Sequence, residues 1–346
     1  MAHRPFFSII IPTYNNSHSL HAAIQICLAQ TFKDFEVVVI DDCSPDNTKE
    51  IVAKIKDKRV RYVRNTKNLG QEGNFKKSFS MGDGKYLFIS GDDDYILWPD
   101  TLEKVHSIIQ KEGYGFVRLN LIERKFVGKG LRKSIINYEK DKIIQKDMSA
   151  EKIIDFFRIF AVGHMAGLIF KNEGDMGKKL FNLQETPWMK ILYEATKKDG
   201  AIYLGKQYMV ITWSQRAIFS HYNVKNRKPI MIEDYTNYIF SLIPEKYKDE
   251  YKWRYYSGFA WLQPAIKLYS NNHNMLAFDK RLFLLEPRLK RSSILWILFC
   301  FSWVLPKSFW NLVRTVQHQS KNHLSGLNNV KTIEKRFNYL EERYLQ

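Results

Sequence analysis

Apolar runs alternate regularly with amphipathic segments over residues 6–119 of this chain of 346 residues. Continuous apolar runs occur at Phe6–Ile11, Phe35–Ile40 and Tyr86–Ile89, and such runs are typical of strands that are buried on both faces. The alternation predicts right-handed strand–helix–strand crossovers and a mainly parallel sheet with flanking helices. In open sheets of this kind, ligands bind beyond the carboxyl ends of the strands. The polar residues that follow each run are therefore the first candidates for a functional site.

The spacing of apolar residues and the helix-capping residues between these runs predict the remaining elements of this region. Residues 17–30 have apolar side chains at helical spacing, and Ser44 followed by Pro45 is typical of a helix N-cap with proline in the first turn. Further elements are predicted as a strand at Val60–Val63, a loop at Asn65–Gly70, a helix at Asn74–Met81 and a strand at Phe116–Leu119. Two later apolar segments are predicted as strands at the edge of the sheet, namely Gly163–Phe170 and Ala201–Trp213.

From about residue 216 the alternation gives way to a helical, aromatic-rich sequence. We therefore predict a first domain of residues 1–215 and a smaller helical region of residues 216–346. The formal net charge is +18, and +11 of it falls in residues 216–346. Such a basic excess suits an anionic membrane surface or a polyanionic acceptor. No nucleic-acid-binding motif accompanies the charge, so a nucleic-acid partner is not expected.

Cysteine content and the start of the sequence indicate a compartment. The three cysteines, Cys27, Cys43 and Cys300, lack metal-ligand spacing and imply no disulfide framework. The first apolar run begins at Phe6, almost directly after Met1, so a secretory signal peptide is not predicted. We expect a reducing, cytoplasmic environment.

Three consecutive carboxylates, Asp92, Asp93 and Asp94, directly follow the run Tyr86–Ile89. A solvated acidic turn is the simple interpretation of such a cluster. The alternative is a site for Mg²⁺ or Mn²⁺, which take oxygen ligands and usually share them with substrate phosphates. Polar residues also follow the other two runs, and all three strand ends are expected at one edge of the sheet. This convergence favours a ligand site.

Four short motifs occur in order along the first part of the chain. They are Ser8–Asn15, Val39–Ser44, Asn68–Gly70, and Ser90–Tyr95 followed by Pro99–Leu102. Together they resemble the family 2 glycosyltransferases of GT-A fold, and the resemblance covers residues 6–110 well and continues more loosely to about residue 213. It implies an inverting, non-processive enzyme of the bacterial type. Such an enzyme moves a single sugar from a nucleoside-diphosphate sugar, here expected to be a UDP-sugar, to a glycan or lipid-linked acceptor in cell-surface polysaccharide synthesis.

The resemblance also implies roles for individual residues. The nucleotide would be held by Pro12, Thr13, Tyr14, Asn15, Asp42, Asn68, Gly70, Asp92 and Asp93. Asp42 would accept hydrogen bonds from the uracil or ribose, because an ionised carboxylate only accepts; capping of the next helix is the alternative. Residues 71–74 depart from the family's frequent Ala-Arg-Asn, and Lys76 or Lys77 is a candidate replacement for the arginine.

A bound Mn²⁺ or Mg²⁺ is implied at the acidic cluster, with Asp94 and Asp92 as ligands. Side chains two residues apart in an extended segment face the same side, which would bring these two carboxylates together. For the catalytic base, the resemblance points to Glu185, just before a helix that Thr186 and Pro187 are predicted to start. A glutamate that only complements the helix dipole is the alternative, and Asp175 is a weaker candidate for the base.

Residues Ile294–Leu305 form the most hydrophobic stretch of the chain. Its twelve residues are too few to cross a bilayer, which takes about 20. Basic residues precede it, a combination typical of a helix that lies in a membrane interface. A buried core helix and an oligomer interface are the alternatives. The expected location is cytoplasmic, with peripheral attachment to the inner face of the cell membrane.

Two other functions are consistent with parts of the sequence. A non-catalytic relative that binds nucleotide or polyanion would explain the fold and the charge. A nucleotidyltransferase would share the sheet, but it usually has a glycine-rich loop after the first strand, and residues 12–17 contain no glycine.

Overall fold

The computed structural model describes residues 3–124, 131–134, 139–159, 165–174, 188–211, 287–292 and 330–344, with isolated residues between 245 and 309. Contacts between residues divide the chain into two units. The first unit contains residues 1–212 and 323–346, and the second contains residues 213–322.

A sheet of ten strands with surrounding helices forms the first unit. The strands are β1 (Phe7–Thr13), β2 (Phe35–Asp41), β3 (Val60–Arg64), β4 (Tyr86–Ile89), β5 (Tyr95–Ile96), β6 (Phe116–Arg124), β7 (Leu131–Ser134), β8 (Lys142–Ile144), β9 (Leu168–Lys171) and β10 (Ala201–Ile211). The helices are α1 (Ser17–Leu28), α2 (Thr48–Lys54), α3 (Gly70–Ser78), α4 (Thr101–Glu112), α5 (Ala150–Ile159), α6 (Trp188–Asp199) and α7 (Val330–Tyr344).

The sheet has the strand order β3-β2-β1-β4-β9-β6-β10-β5, with β7 paired to β6 and β8 to β10. Strands β1 to β4 run parallel, and so do β6 and β10. Thr13 at the end of β1 pairs with Asp41 at the end of β2, so the carboxyl ends of these strands are level. The mixed α/β architecture with a mainly parallel sheet and flanking helices agrees with the fold predicted from the sequence.

The position of two late strands differs from the prediction. Both were expected at the sheet edge, but β9 lies between β4 and β6, antiparallel to both, and β10 lies between β6 and β5. Leu168, Ile169 and Phe170 of β9 are buried. The edge prediction was wrong because an apolar run does not reveal which strands will flank it.

Helix α7 packs back onto the first unit, against α1. Ile333, Phe337 and Leu340 lie on one face of the helix and are buried. Arg336 Nε donates a hydrogen bond of 2.7 Å to Leu97 O, just beyond β5. Glu341 forms an ion pair of 2.8 Å with Arg124 at the end of β6. The division predicted from the sequence kept these residues with the C-terminal region, whereas the structure places them in the first unit.

The second unit is described only in part. Residues Pro287–Arg291 form a 3₁₀ helix. Farther along, Leu305 N donates to Phe301 O at 3.0 Å, the i to i−4 bond of an α-helical turn. Within the described part of the chain, no helix combines the length and the apolar character needed to cross a membrane.

Candidate active site

Backbone hydrogen bonds join the three strand ends that carry the predicted site. Asp42 N donates to Thr13 O at 2.9 Å, which links the residues after β2 to the end of β1. Ser90 N donates to Ile10 O at 3.1 Å, which links the residues after β4 to the same strand. The sheet therefore brings the polar residues that follow β1, β2 and β4 to one edge, as the parallel arrangement predicts.

Asp42 is buried and connects this edge to the loop between β3 and α3. Its Oδ1 accepts hydrogen bonds from Asn65 Nδ2 and from Leu69 N, both at 2.8 Å. Among the described residues none donates to Oδ2. The bonds to Asn65 and Leu69 differ from the helix-capping alternative, in which the carboxylate would bond to the first turn of α2. The protein thus orients the carboxylate of Asp42 through Oδ1.

Asn65 stands at the centre of a small polar network. It donates to Asn74 Oδ1 at 2.9 Å and accepts from Lys77 Nζ at 2.7 Å. Asn74 in turn donates to Ile40 O at 3.1 Å. Lys77, one of the two candidates to replace the family's arginine, therefore lies within this network.

The loop before α3 contains the predicted residues Asn68 and Gly70. Asn68 is exposed, and its Oδ1 accepts from Gly70 N at 2.8 Å. Gly70 has a φ of 73°, a left-handed conformation that glycine adopts without steric cost. Helix α3 begins here, four residues earlier than the sequence pattern indicated.

The loop after β1 turns on a left-handed residue. Tyr14 is 49% exposed at the tip, and Pro12 is half-buried. Asn15 has a φ of 55°, and its N–H donates to Ser44 Oγ at 2.9 Å. Ser44 was predicted to cap a helix, but its hydroxyl accepts from Asn15 and α2 begins only at Thr48. The local sequence around Ser44 could not reveal that its partner is Asn15, which lies in the loop after β1.

Asp92 ties the residues after β4 to the start of α1. Its two oxygens accept hydrogen bonds from Thr13 Oγ1 at 2.6 Å and from Asn16 Nδ2 at 2.9 Å. Desolvation by burial raises the pKa of Asp92 to about 6, although the hydrogen bonds from Thr13 and Asn16 act in the opposite direction. Removing this carboxylate from water is therefore costly, and the neutral donors do not compensate fully.

Residues 91–94 form a turn rather than the extended segment expected from the sequence. Asp94 N donates to Gly91 O at 3.4 Å, and Gly91 N donates to Asp94 Oδ2 at 3.0 Å. A methyl group on Gly91 would lie 2.5 Å from Asp94 Oδ2 and 3.3 Å from Asp93 Oδ1. The carboxylates of Asp93 and Asp94 therefore approach one space beside Gly91, while Asp92 faces Thr13 and Asn16.

The donor set of this turn suits a hard cation. Within the described ranges, no group of three His, Cys, Asp or Glu side chains is arranged to hold a metal by itself. Mg²⁺ and similar ions usually take one or two carboxylates and complete their shell with water and substrate phosphates. The carboxylate of Asp94 beside Gly91, with Asp92 or Asp93 as its neighbour in the turn, is a donor set of that kind.

A buried arginine near the acidic turn was not anticipated. Arg118 on β6 is fully buried, and its Nη1 donates to Ala166 O. Burial lowers the pKa of this guanidinium to about 9, while the charges of Tyr203 and Asp94 act to raise it. Its only sequence signal was a cation within an otherwise apolar strand. The predicted base Glu185 and the alternative Asp175 lie outside the described residues.

Comparison with known proteins gives a family for this region. The sequence profile of the family described as "Glycosyl transferase family 2" matches residues 8–170. A glucosyltransferase of Campylobacter jejuni, "GalNAc(5)-diNAcBac-PP-undecaprenol beta-1,3-glucosyltransferase", is 30% identical over 218 residues, which are 60% of this chain and 64% of that protein. The Escherichia coli protein WfaP, "UDP-Glc:alpha-D-GlcNAc-diphosphoundecaprenol beta-1,3-glucosyltransferase", is 31% identical over 133 residues, which are 38% of this chain and 53% of that protein. The chain thus spans less than two thirds of the length of these relatives.

A solved structure shares the fold. Residues 1–349 of S. aureus TarS, crystallised with UDP-GlcNAc, superpose with a TM-score of 0.55 at 16% identity, covering 96% of this chain and 92% of that one. At this level of identity the likeness concerns the fold alone.

Proposed function

Residues 8–170 belong to glycosyltransferase family 2, and we propose that this chain transfers a single sugar from a nucleoside-diphosphate sugar to a lipid-linked acceptor, with inversion at the anomeric carbon. The observation that carries the proposal is the convergence of Thr13, Asp42 and the Asp92–Asp94 turn at one edge of the sheet. In α/β folds this edge is where nucleotides bind.

UDP is the nucleotide that we propose for the donor. Asp42 lies at the carboxyl end of β2 and receives no hydrogen bond at Oδ2 from the described residues, and a carboxylate there suits the N–H of uracil or the hydroxyls of ribose. Tyr14, in the loop after the neighbouring strand β1, is exposed and would offer an aromatic face to the base. The name of the E. coli relative includes UDP-Glc as its donor, which supports the same choice.

We propose that Mn²⁺ or Mg²⁺ acts with the donor, held by Asp94 together with Asp92. When bound, such an ion neutralises charge on the departing nucleoside diphosphate. Within the protein, Asp94 would contribute the oxygen beside Gly91, and Asp93 would face the sugar. Asp92 would keep its bonds to Thr13 and Asn16, so that ligand binding and the position of the first loop depend on one residue.

Glu185 remains the proposed base that removes the proton of the acceptor hydroxyl. Helix α6 is described from Trp188, three residues after Glu185 in the sequence, and a carboxylate just before a helix N-terminus tends to stay ionised. Glu185→Gln should retain UDP affinity and lose transfer activity by about 10²–10⁴-fold. A loss of only a few-fold would assign the base to another carboxylate, with Asp175 next.

The acceptor is proposed to reach the enzyme at an anionic membrane surface. In the second unit, Ile297 is 56%, Phe301 52% and Val304 79% exposed, and these residues recur at helical spacing. Arg288 and Arg291 are exposed just before them. An exposed apolar helical face beside basic residues is the pattern of interfacial attachment, and this exposure argues against the buried-core alternative. Both relatives have acceptors named as undecaprenol derivatives.

Purified protein, Mn²⁺ and a panel of nucleotide sugars test the central proposal. We expect calorimetric binding of UDP, slow donor hydrolysis, and sugar transfer to a diphosphoundecaprenol-linked sugar. Failure to bind any nucleotide, with or without metal, would contradict it. A polyanion that competes without regard to UDP, and only at low salt, would favour the non-catalytic alternative.

Sedimentation with anionic and neutral vesicles tests the membrane surface. Replacing Ile297, Phe301 and Val304 by serine should abolish the salt-resistant part of binding to anionic vesicles and leave UDP binding intact. Ile143→Ser, at an exposed apolar residue of the first unit, is the matched control. Unchanged vesicle binding with a changed oligomeric state would identify the face as an oligomer interface.

A further inference from the structure

Arg64, at the end of β3, contacts both neighbours of the proposed nucleotide-binding residue Asp42. Its Nη1 forms an ion pair of 2.5 Å with Asp41 Oδ2, and its Nη2 donates to Ser44 O at 2.9 Å. The Nη2 atom also lies 3.8 Å from Cys43 Sγ. One guanidinium thus holds the residues on either side of Asp42 at fixed positions, which the planar fork of arginine suits.

Asp41 is the anionic partner that holds Arg64 in this arrangement. Its carboxylate is fully buried and accepts from Tyr62 Oη at 2.5 Å as well as from Arg64. The other oxygen accepts from Ser44 N at 2.8 Å. Burial and the hydrogen bond to Asp41 raise the pKa of Tyr62 to about 12, so the phenol stays a donor at neutral pH. The carboxylate that anchors Arg64 is therefore held by three donors.

The turn that Arg64 holds has a conformation that does not form readily by itself. Cys43 has a φ of 62°, in the left-handed region that residues with a side chain seldom adopt. Ser44 Oγ accepts from Asn15 N, and Asn15 is left-handed too. Through this hydrogen bond, the fixed position of residues 41–44 also restrains the loop after β1.

From this geometry we infer that Arg64 is a positioning residue that sets the affinity for the donor nucleotide. It shapes the loops at the ends of β1 and β2 without touching the reacting atoms. The inference rests on the proposed function, because it presumes that these loops bind a nucleoside diphosphate. Both loops are assembled in advance by the contacts of Arg64, which lowers the cost of ordering them when the ligand binds.

Arg61 provides a matched control on the same strand. The Arg61 side chain is 38% exposed and the Arg64 side chain 33%, and Arg61 has its own ion pair of 3.2 Å with Glu36. The other contacts of Arg61 are with Met81 and Asp83 rather than with the turn. Loss of the Arg61 charge removes its ion pairs with Glu36 and Asp83, and loss of the Arg64 charge removes the ion pair with the fully buried Asp41. Only Arg64→Met should release residues 41–44.

The first measurement is UDP binding by calorimetry in the presence of Mn²⁺. We expect Arg64→Met to weaken UDP binding by about 10-fold or more, by analogy with the removal of residues that support metal ligands. Arg61→Met should leave the affinity unchanged. Arg64→Lys should fall between, since an ammonium can pair with Asp41 but cannot reach both sides of the turn. In transfer assays the donor KM should rise while kcat at saturating donor is retained.

The second measurement is the alkylation rate of Cys43, followed by peptide mass spectrometry. Cys27 is buried and Cys300 is exposed, so the chain has internal references for slow and fast reaction. Arg64→Met should accelerate alkylation of Cys43 alone, and Arg61→Met should not. If Arg64→Met fails to fold, Arg64→Lys and Tyr62→Phe give the same comparison.

The outcomes separate two failures. Arg64→Met that binds UDP as tightly as Arg61→Met, with unchanged Cys43 reactivity, overturns the role of Arg64. A fall in kcat without a rise in donor KM also overturns it. If the unaltered protein binds no nucleotide, the proposed function fails, and the reactivity of Cys43 alone then decides whether Arg64 positions the turn.

Discussion

Two acidic strand ends lie on either side of β1, and the protein stabilises their charges in different ways. At the end of β2, the buried carboxylate of Asp41 is met by the guanidinium of Arg64 at 2.5 Å. At the end of β4, Asp92 receives hydrogen bonds from the neutral groups of Thr13 and Asn16, and burial raises its pKa to about 6. The carboxylate of Asp41 thus has a charged partner within hydrogen-bond distance, whereas that of Asp92 is stabilised only by hydrogen bonds from neutral groups.

The difference shows that one sheet edge can contain both an acidic turn that is stabilised within the protein and an acidic turn that a bound cation would stabilise. The charge at the end of β2 is compensated within the protein, so under the proposed function this turn would form a fixed side of the nucleotide site. The end of β4 is incompletely compensated, so a cation brought with the donor would stabilise it. The same acidic residue type therefore supplies structure in one turn and binding capacity in the next.

The largest expected effect concerns Asp94. Asp94→Asn should lose Mn²⁺-dependent UDP binding and reduce transfer by about 10²–10³-fold, the typical loss when one electrostatic group is removed from a reaction centre. The variant should remain folded, but its thermal midpoint should fall, because Asp94 is buried and its charge acts on the fully buried Arg118. Calorimetry with and without EDTA checks this. A variant that binds UDP and turns over normally would remove Asp94 from the site.

Asp41→Asn should have the next largest effect, on stability rather than on metal dependence. It removes the ionised acceptor of Tyr62, Arg64 and Ser44 and should lower the free energy of unfolding by about 2 kcal/mol. Urea unfolding gives the value. If Asp41→Asn were as stable as the unaltered protein, the contrast between the two strand ends would fail.

Gly91→Ala tests the space in which the carboxylates of the β4 turn meet. The added methyl would lie 2.5 Å from Asp94 Oδ2, so the carboxylate must move aside. We expect UDP affinity in Mn²⁺ to fall by about 10-fold, by analogy with changes beside metal ligands, and metal-independent UDP affinity to change much less. Equal losses with and without Mn²⁺ would indicate a general distortion of the turn.

The smallest expected effect is a gain in stability for Asp92→Asn. The folded-state pKa of Asp92 is about 6, above its ordinary value of 3.8, so the folded state binds this proton more tightly. Its contribution to stability is therefore complete below about pH 4 and is lost as the pH rises through about 6.

In metal-free buffer at pH 7, Asp92→Asn should thus be more stable than the unaltered protein, by about 1 kcal/mol after allowance for its partial exposure. At pH 4.5 the difference should shrink. Unfolding in urea with EDTA at both pH values measures it. A variant that is less stable at pH 7 would show that the hydrogen bonds to the ionised form outweigh desolvation.

The sequence predicted the strand ends well because two strong rules act there. Apolar runs such as Phe35–Ile40 indicate buried strands, and parallel strands place their carboxyl ends at one edge. The sequence alone therefore predicts that Thr13, Asp42 and Asp92 lie at one edge of the sheet. The mixed α/β fold follows from the same alternation.

The contacts that organise the site could not be read from sequence, because their partners are distant along the chain. Ser44 has the pattern of a helix cap, yet it accepts from Asn15, and Arg64 reaches back to Asp41 from the next strand. The turn at residues 91–94 was predicted as extended because hydrogen bonds within a short acidic segment leave no periodic signal. The burial of Arg118 and the inward position of β9 depend on neighbouring strands.

Helix α7 has a consequence for how the protein is made. Residues 330–344 complete the first unit, but the ribosome synthesises all of residues 213–322 before them. At about 5–20 residues per second, the surface on which Phe337 and Leu340 will pack stays uncovered for on the order of ten seconds. During that interval Leu97 O and Arg124 lack the partners that Arg336 and Glu341 later supply. Premature termination within the second unit would therefore damage the nascent N-terminal unit as well, although the sheet and its acidic turns had already been translated.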